Sequence, residues 1–110
     1  MEILKTEFTH KDARRELSQL FTATTEQVNI YKAKKGAVLG DHFHKETKEY
    51  FYIIKGTVSY NDTIKFEKGN LFVVPPFENH MIRCLTPVTM MTFLTRPYEK
   101  DKSDIWTNKS

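Results

Sequence analysis

Gly36-Ala-Val-Leu-Gly-Asp-His42-Phe43-His44-Lys-Glu-Thr-Lys-Glu49-Tyr-Phe-Tyr-Ile-Ile-Lys-Gly56 is the stretch on which the reading of this chain turns. His42 and His44 follow Gly36 with five residues between, Glu49 follows His44 with four between, and Gly56 follows Glu49 with six between. A third histidine, His80, lies in a second frame that begins at Gly69 and passes through Pro75, so three of the four histidines fall inside these frames. Residues i and i+2 of a strand point to one side of a sheet. Imidazoles and a carboxylate suit first-row divalent metals. The sequence therefore proposes a metal site built from His42, His44, Glu49 and His80.

Alternation supports an inward Glu49. It begins the run Tyr50-Phe51-Tyr52-Ile53-Ile54 and shares a face with Phe51 and Ile53. A buried carboxylate needs a cation or hydrogen bonds.

The spacing from Gly36 to Gly56 resembles the first motif of the cupin family, G-x5-H-x-H-x4-E-x6-G, at every defined position. Gly69 to Cys84 resembles the second motif, G-x5-P-x-G-x2-H-x3-N, with Phe77 in place of the glycine and Cys84 in place of the asparagine. The resemblance covers residues 36–84 and implies a small all-β jelly-roll barrel (a double-stranded β-helix) with one divalent transition metal inside.

Composition agrees with a folded β-rich chain. At 110 residues it is expected to form a single cupin domain over 1–110, with a short N-terminal extension and an irregular C-terminal tail. Hydrophobic residues are 39% and charged residues 28%, as in ordinary globular proteins, and eight Phe with five Tyr favour strands. No apolar run approaches the roughly 20 residues of a membrane helix, and the N-terminus lacks a signal-peptide pattern. We expect a cytoplasmic protein without membrane partners. The single cysteine, Cys84, fits a reducing compartment. A net charge of +3 spread over scattered lysines serves solubility, and no nucleic-acid partner is expected.

From residue 28 onward, short apolar runs alternate with turn residues: 28–33, 37–43, 49–55, 57–60, 63–66, 71–74, 79–84 and 88–95. Asn61-Asp62 marks a tight hairpin, because both residues tolerate positive φ. Asp12–Leu20 reads as a helix, from Leu17, Leu20 and Phe21 at helical spacing, with strand pairing at the barrel edge as the alternative. Residues 97–110 read as a surface tail with Trp106 as its anchor.

Other side chains receive smaller roles. Cys84, Met90 and Met91 read as apolar filler. Tyr31, Tyr50, Tyr52, Arg96 and Asn29 are candidates for the rim of a pocket, and Tyr31 and Tyr52 are the candidate catalytic residues. Arg83 faces opposite to His80 and is expected outside.

Four protein ligands leave a six-coordinate ion two open positions, which suits Fe, Mn, Ni or Co, whereas four-coordinate Zn would be closed. The expected activity is Lewis-acid isomerisation, epimerisation or lyase chemistry on a small oxygen-rich, carbohydrate-like molecule held in the barrel. The alternatives are Fe(II)-dependent dioxygenation and a non-catalytic module that binds a small ligand or metal. Asp12-x-Arg14-x-x-Leu17 and Lys35 to Lys45 are similar to the layout of sugar-nucleotide epimerase and ketoisomerase cupins. That resemblance implies an acid and base role for His42 and His44. Leu39-Gly40 and Arg15 depart from it, and Glu49 supplies the carboxylate a metal takes, so ligation ranks first. The resemblance also implies a homodimer, with outer residues Tyr50, Tyr52 and Ile54 to be covered.

Overall fold

The computed structural model describes residues 1–108. Its strands are β1 (Glu2–Leu4), β2 (Phe8–Lys11), β3 (Glu16–Gln19), β4 (Gln27–Ala33), β5 (Val38–His42), β6 (Glu49–Lys55), β7 (Thr57–Tyr60), β8 (Ile64–Glu67), β9 (Leu71–Val74), β10 (His80–Cys84) and β11 (Val88–Leu94), followed by a 3-10 turn at Lys100–Lys102. Each apolar run from residue 28 onward became one strand, β4 to β11. Among the described residues, no helix is long and apolar enough to cross a membrane.

Two antiparallel sheets enclose the core, one in the order β1-β9-β6-β11-β4 and one in the order β5-β10-β7-β8. Alternation decides what goes inside. On β11, Val88, Met90, Thr92 and Leu94 are buried while the residues between them are half exposed. On β6, Glu49, Phe51 and Ile53 face inward. Phe51, Ile53, Phe72 and Met90 from the first sheet meet Val58, Phe66, Ile82 and Cys84 from the second. Phe72 lies between two stacked rings, Phe66 at 4.2 Å and Phe51 at 4.8 Å between centroids. Fully burying such a ring contributes about 1.5–3 kcal/mol. Cys84 is 1% exposed, and burial pushes its thiol pKa up, so it is an inert filler as expected.

The turns follow local chemistry. Asn61 and Asp62 sit at φ 50° and 55°, and Thr63 N–H donates to Tyr60 O at 3.0 Å, which closes the β7–β8 hairpin. Gly56 joins β6 to β7 at φ 93°, and a Cβ there would lie 2.2 Å from Pro87 O. Only glycine fits.

The N-terminal expectation is corrected. Asp12–Leu20 is not a helix: β2 and β3 pair antiparallel, with His10 opposite Leu17 and Lys11 opposite Glu16. Asp12 Oδ1 accepts from Arg14 N at 2.8 Å and Arg15 N at 3.1 Å, and Asp12 N donates to Arg15 O at 2.9 Å. An aspartate capping a helix makes the same side-chain bonds to the amides two and three residues on. Here they close a hairpin instead, and Leu17 is left 45% exposed. Beyond it, Phe21 returns to the barrel, stacks on Tyr50 at 4.4 Å and meets Phe93 edge-on at 5.2 Å. Tyr50 is thus covered by the chain's own N-terminal segment.

The C-terminal segment is better tied down than a surface tail. Phe43 and Trp106 exchange two backbone bonds of 2.8 and 2.9 Å, so Trp106 is an anchor. Residues 109 and 110 of the expected tail lie outside the described residues.

Candidate metal centre

His42 closes β5, His80 opens β10, and the two are register partners. Between His80 and Met81 the register shifts, so that Met81 pairs with Gly40 and Asp41 becomes the extra residue of a bulge. Gly40 and Asp41 accordingly take φ 85° and 70°. Close approach adds to the demand for glycine: a Cβ on Gly40 would stand 3.0 Å from His80 O and 3.4 Å from its ring. The bulge brings the His42 and His80 rings to 4.5 Å between centroids. His44 follows β5 and Glu49 opens β6, so the four side chains converge from three strands and one connection.

His44, Glu49 and His80 are buried, and His42 is half-buried. His44 Nε2 stands 3.1 Å from Glu49 Oε1, and His80 Nε2 stands 3.5 Å from the same oxygen. One potential ligand atom from each residue lies within 4.8 Å of the other three. Two atoms each about 2.1 Å from one ion are at most about 4.2 Å apart, so small side-chain adjustments would seat an ion here. Among the described residues, His80 Nδ1 is buried with no hydrogen-bond partner within bonding geometry.

The charge states of His80 and His42 fit this role. Burial, with His42 and His44 close by, drives His80 down to about 3, leaving a neutral imidazole. Burial also lowers His42. For His44, burial works against the charged form, but the Glu49 hydrogen bond and the Asp104 carbonyl outweigh it and raise the value. A divalent cation takes neutral imidazoles beside a carboxylate, the form the lowered values give His42 and His80; on binding it would displace the proton that Glu49 and Asp104 favour on His44. The four residues predicted from spacing therefore form one buried cluster that could hold a metal ion.

The cluster opens into a cavity of about 330 Å³. Leu39, Ile82 and Met90 give it apolar walls, while Gln27, Asn29 and Tyr31 of β4 present a polar row. That row is tied in place: Gln27 Nε2 donates to Asn29 Oδ1 at 3.1 Å, Asn29 Nδ2 donates to Thr92 Oγ1 at 3.4 Å, and Tyr98 N–H donates to Gln27 Oε1 at 2.7 Å. Burial, then the Glu49 carboxylate, raises the Tyr31 hydroxyl pKa.

The remaining candidates separate clearly. Tyr31 and Asn29 line the cavity, but Tyr52 does not, because it alternates onto the outer face of β6 opposite Glu49, Phe51 and Ile53. Arg83 lies outside, with Nε 2.9 Å from Asp62 Oδ1. Arg96 pairs with Glu46. Gln27, Tyr98 and Ile105 also line the cavity, and sequence reasoning missed them. Gln27 carried a signal, the same period of two as Asn29 and Tyr31; the other two carried none.

No curated protein matches this chain significantly. Among solved structures, the Mycobacterium tuberculosis rmlC epimerase superposes with a TM-score of 0.71 at 17% identity, covering 93% of this chain and 71% of that one. QdtA, a sugar 3,4-ketoisomerase from Thermoanaerobacterium thermosaccharolyticum in complex with TDP, gives 0.70 at 15%, covering 96% and 86%. CapF, a capsular polysaccharide assembling protein from Staphylococcus aureus, gives 0.65 at 17%, covering 94% of this chain, which spans only 34% of CapF. At these identities the likeness is one of fold, that of the sugar epimerase and ketoisomerase cupins. The ChrR cupin-like domain model matches residues 7–99, most of the chain including both histidine frames, and the chain belongs to that cupin family.

Proposed function

We propose that the chain binds one divalent transition metal through His42, His44, Glu49 and His80, and acts in isomerisation, epimerisation or lyase chemistry on a small oxygen-rich, carbohydrate-like ligand in the adjoining cavity. One observation carries the reading: the four clustered side chains are themselves part of the cavity wall, so a ligand there would meet the donor set directly. A bound ion would supply polarisation of a carbonyl or enediolate oxygen.

The chain's own groups suit that ligand. Tyr31, its pKa raised, keeps its proton at neutral pH and presents a hydroxyl donor. The Gln27 and Asn29 amides, held by neighbours, match hydroxyl and carbonyl groups. No lysine or arginine lines the cavity among the described residues, which favours an uncharged ligand over a phosphorylated one. A second reading, binding without turnover, draws support from the same Tyr31, which is an acid and not a ready base.

Metal analysis of the purified protein, alongside His42→Ala and His80→Ala, tests the site. We expect stoichiometric metal in the wild type and loss of it in both variants. Wild-type protein that takes up none of Fe, Mn, Ni, Co or Zn would refute the reading. Deuterium uptake by keto sugars in D2O, abolished by chelator, separates turnover from binding alone.

A further inference from the structure

The cluster is completed by a residue outside both motifs and beyond the matched residues 7–99. His44 Nδ1 lies 2.7 Å from the backbone carbonyl oxygen of Asp104. A carbonyl only accepts, so Nδ1 carries a proton; Nε2, 3.1 Å from Glu49 Oε1, faces the cluster, and in the neutral ring protonated at Nδ1 its lone pair is turned there. An outer hydrogen bond of this kind fixes both the tautomer and the orientation of a ligating histidine.

The Asp104 carbonyl is itself held firmly. Its carboxylate accepts from three consecutive backbone amides, Lys45 N at 2.9 Å, Glu46 N at 2.8 Å and Thr47 N at 2.9 Å, and from Thr47 Oγ1 at 2.9 Å. Trp106 Nε1 adds a fifth bond at 3.0 Å, and the Lys45 ammonium sits 3.6 Å from the centre of the Trp106 ring. These amides belong to the connection that carries the chain from His44 to Glu49. One side chain thus fixes the path between two members of the cluster while its carbonyl orients one of them.

We propose that Asp104 is the positioning residue of the metal centre, setting the His44 tautomer and the course of residues 44–49. The proposal rests on the metal-binding reading above. Co(II) affinity, measured by competition with a chromophoric chelator, and the visible spectrum of the Co(II) protein test it in wild type, Asp104→Ala and Asp104→Asn. Losing such a partner costs about 10–100-fold in affinity. Asp104→Ala keeps the carbonyl but frees it and residues 45–47 from their anchor, so we expect a loss toward the lower end of that range, about tenfold, and an altered spectrum. Asp104→Asn keeps one acceptor oxygen of two and should fall between. Lys100→Ala, on the exposed 3-10 turn of the same segment, should bind as wild type.

Wild-type affinity in folded Asp104→Ala would overturn the proposal, and if that variant does not fold, wild-type affinity in Asp104→Asn does so. A wild type that binds neither Co(II) nor Fe, Mn, Ni or Zn would sink the metal reading instead. Positioning is then decided by ¹⁵N NMR of His44 in metal-free protein at alkaline pH. The proton should sit on Nδ1 in wild type and shift toward Nε2 in the variant; an unchanged tautomer refutes it.

Discussion

Phe77 stands where the second cupin motif has glycine, and it adopts φ 70°, the left-handed region that motif glycine would occupy without strain. An L-residue there costs about 1–2 kcal/mol. The ring recovers little of that, being 70% exposed, while the amide of Phe77 donates to His44 O at 2.6 Å and so keeps the turn in place. Comparing Phe77→Ala with Phe77→Gly isolates the backbone effect, since both variants remove the ring. In ordinary extended or helical positions glycine is the less stable of the two by roughly 0.5–1 kcal/mol. Here the sign should invert, with Phe77→Gly the more stable by about 1 kcal/mol, or about 4–8 °C in Tm for a domain near this size. Urea unfolding followed by fluorescence reads the difference as a shift in midpoint at constant slope. Phe77→Gly at or below Phe77→Ala would mean that the turn before His80 is not left-handed at residue 77, and the second motif would lose its glycine position.

The remaining predictions bear on the same frame. Gly40→Ala would drive a Cβ to 3.0 Å from His80 O at a φ of 85°, so it should weaken Co(II) binding and lower stability by about 1–2 kcal/mol; unchanged Co(II) titration would refute the close approach. Gly56→Ala, with its Cβ 2.2 Å from Pro87 O, a backbone atom that cannot rotate away, should cost more than Gly40→Ala, read in the same urea assay. In metal-free protein His80, down to about 3, and His42, also lowered, resist protonation when folded, so their contribution is complete above the unfolded value near 6.5 and is lost as pH falls below it. His44, raised, acts with opposite sign, so the net loss from about pH 7 to about pH 5 should stay below about 1.4 kcal/mol per pH unit per histidine; stability equal or higher at the acid end would contradict it.

What could be read from the chain and what could not divide on a physical line. Strands β4 to β11 were legible because a two-residue period and turn residues such as Asn61-Asp62 are local facts, and in a two-layer β fold they decide which side chains go inside. The four cluster residues were legible because each sits at or just past a strand end, where fixed gaps between turns translate into fixed places. The helix reading of residues 12–20 rested on the spacing of Leu17, Leu20 and Phe21, but Asp12 closes a hairpin through the amides of residues 14 and 15 and Leu17 is left 45% exposed, with no apolar surface to cover. Tyr52 was placed at the site by its chemistry although alternation already turned it away from Glu49. Asp104 was beyond reach for a different reason. Its partners lie 57 to 60 residues earlier, and an aspartate in a polar stretch of Lys, Asp and Ser carries no sign of what will fold against it. A histidine ligand is therefore legible from spacing, whereas the group that orients it is a tertiary contact that becomes visible only once the chain is folded.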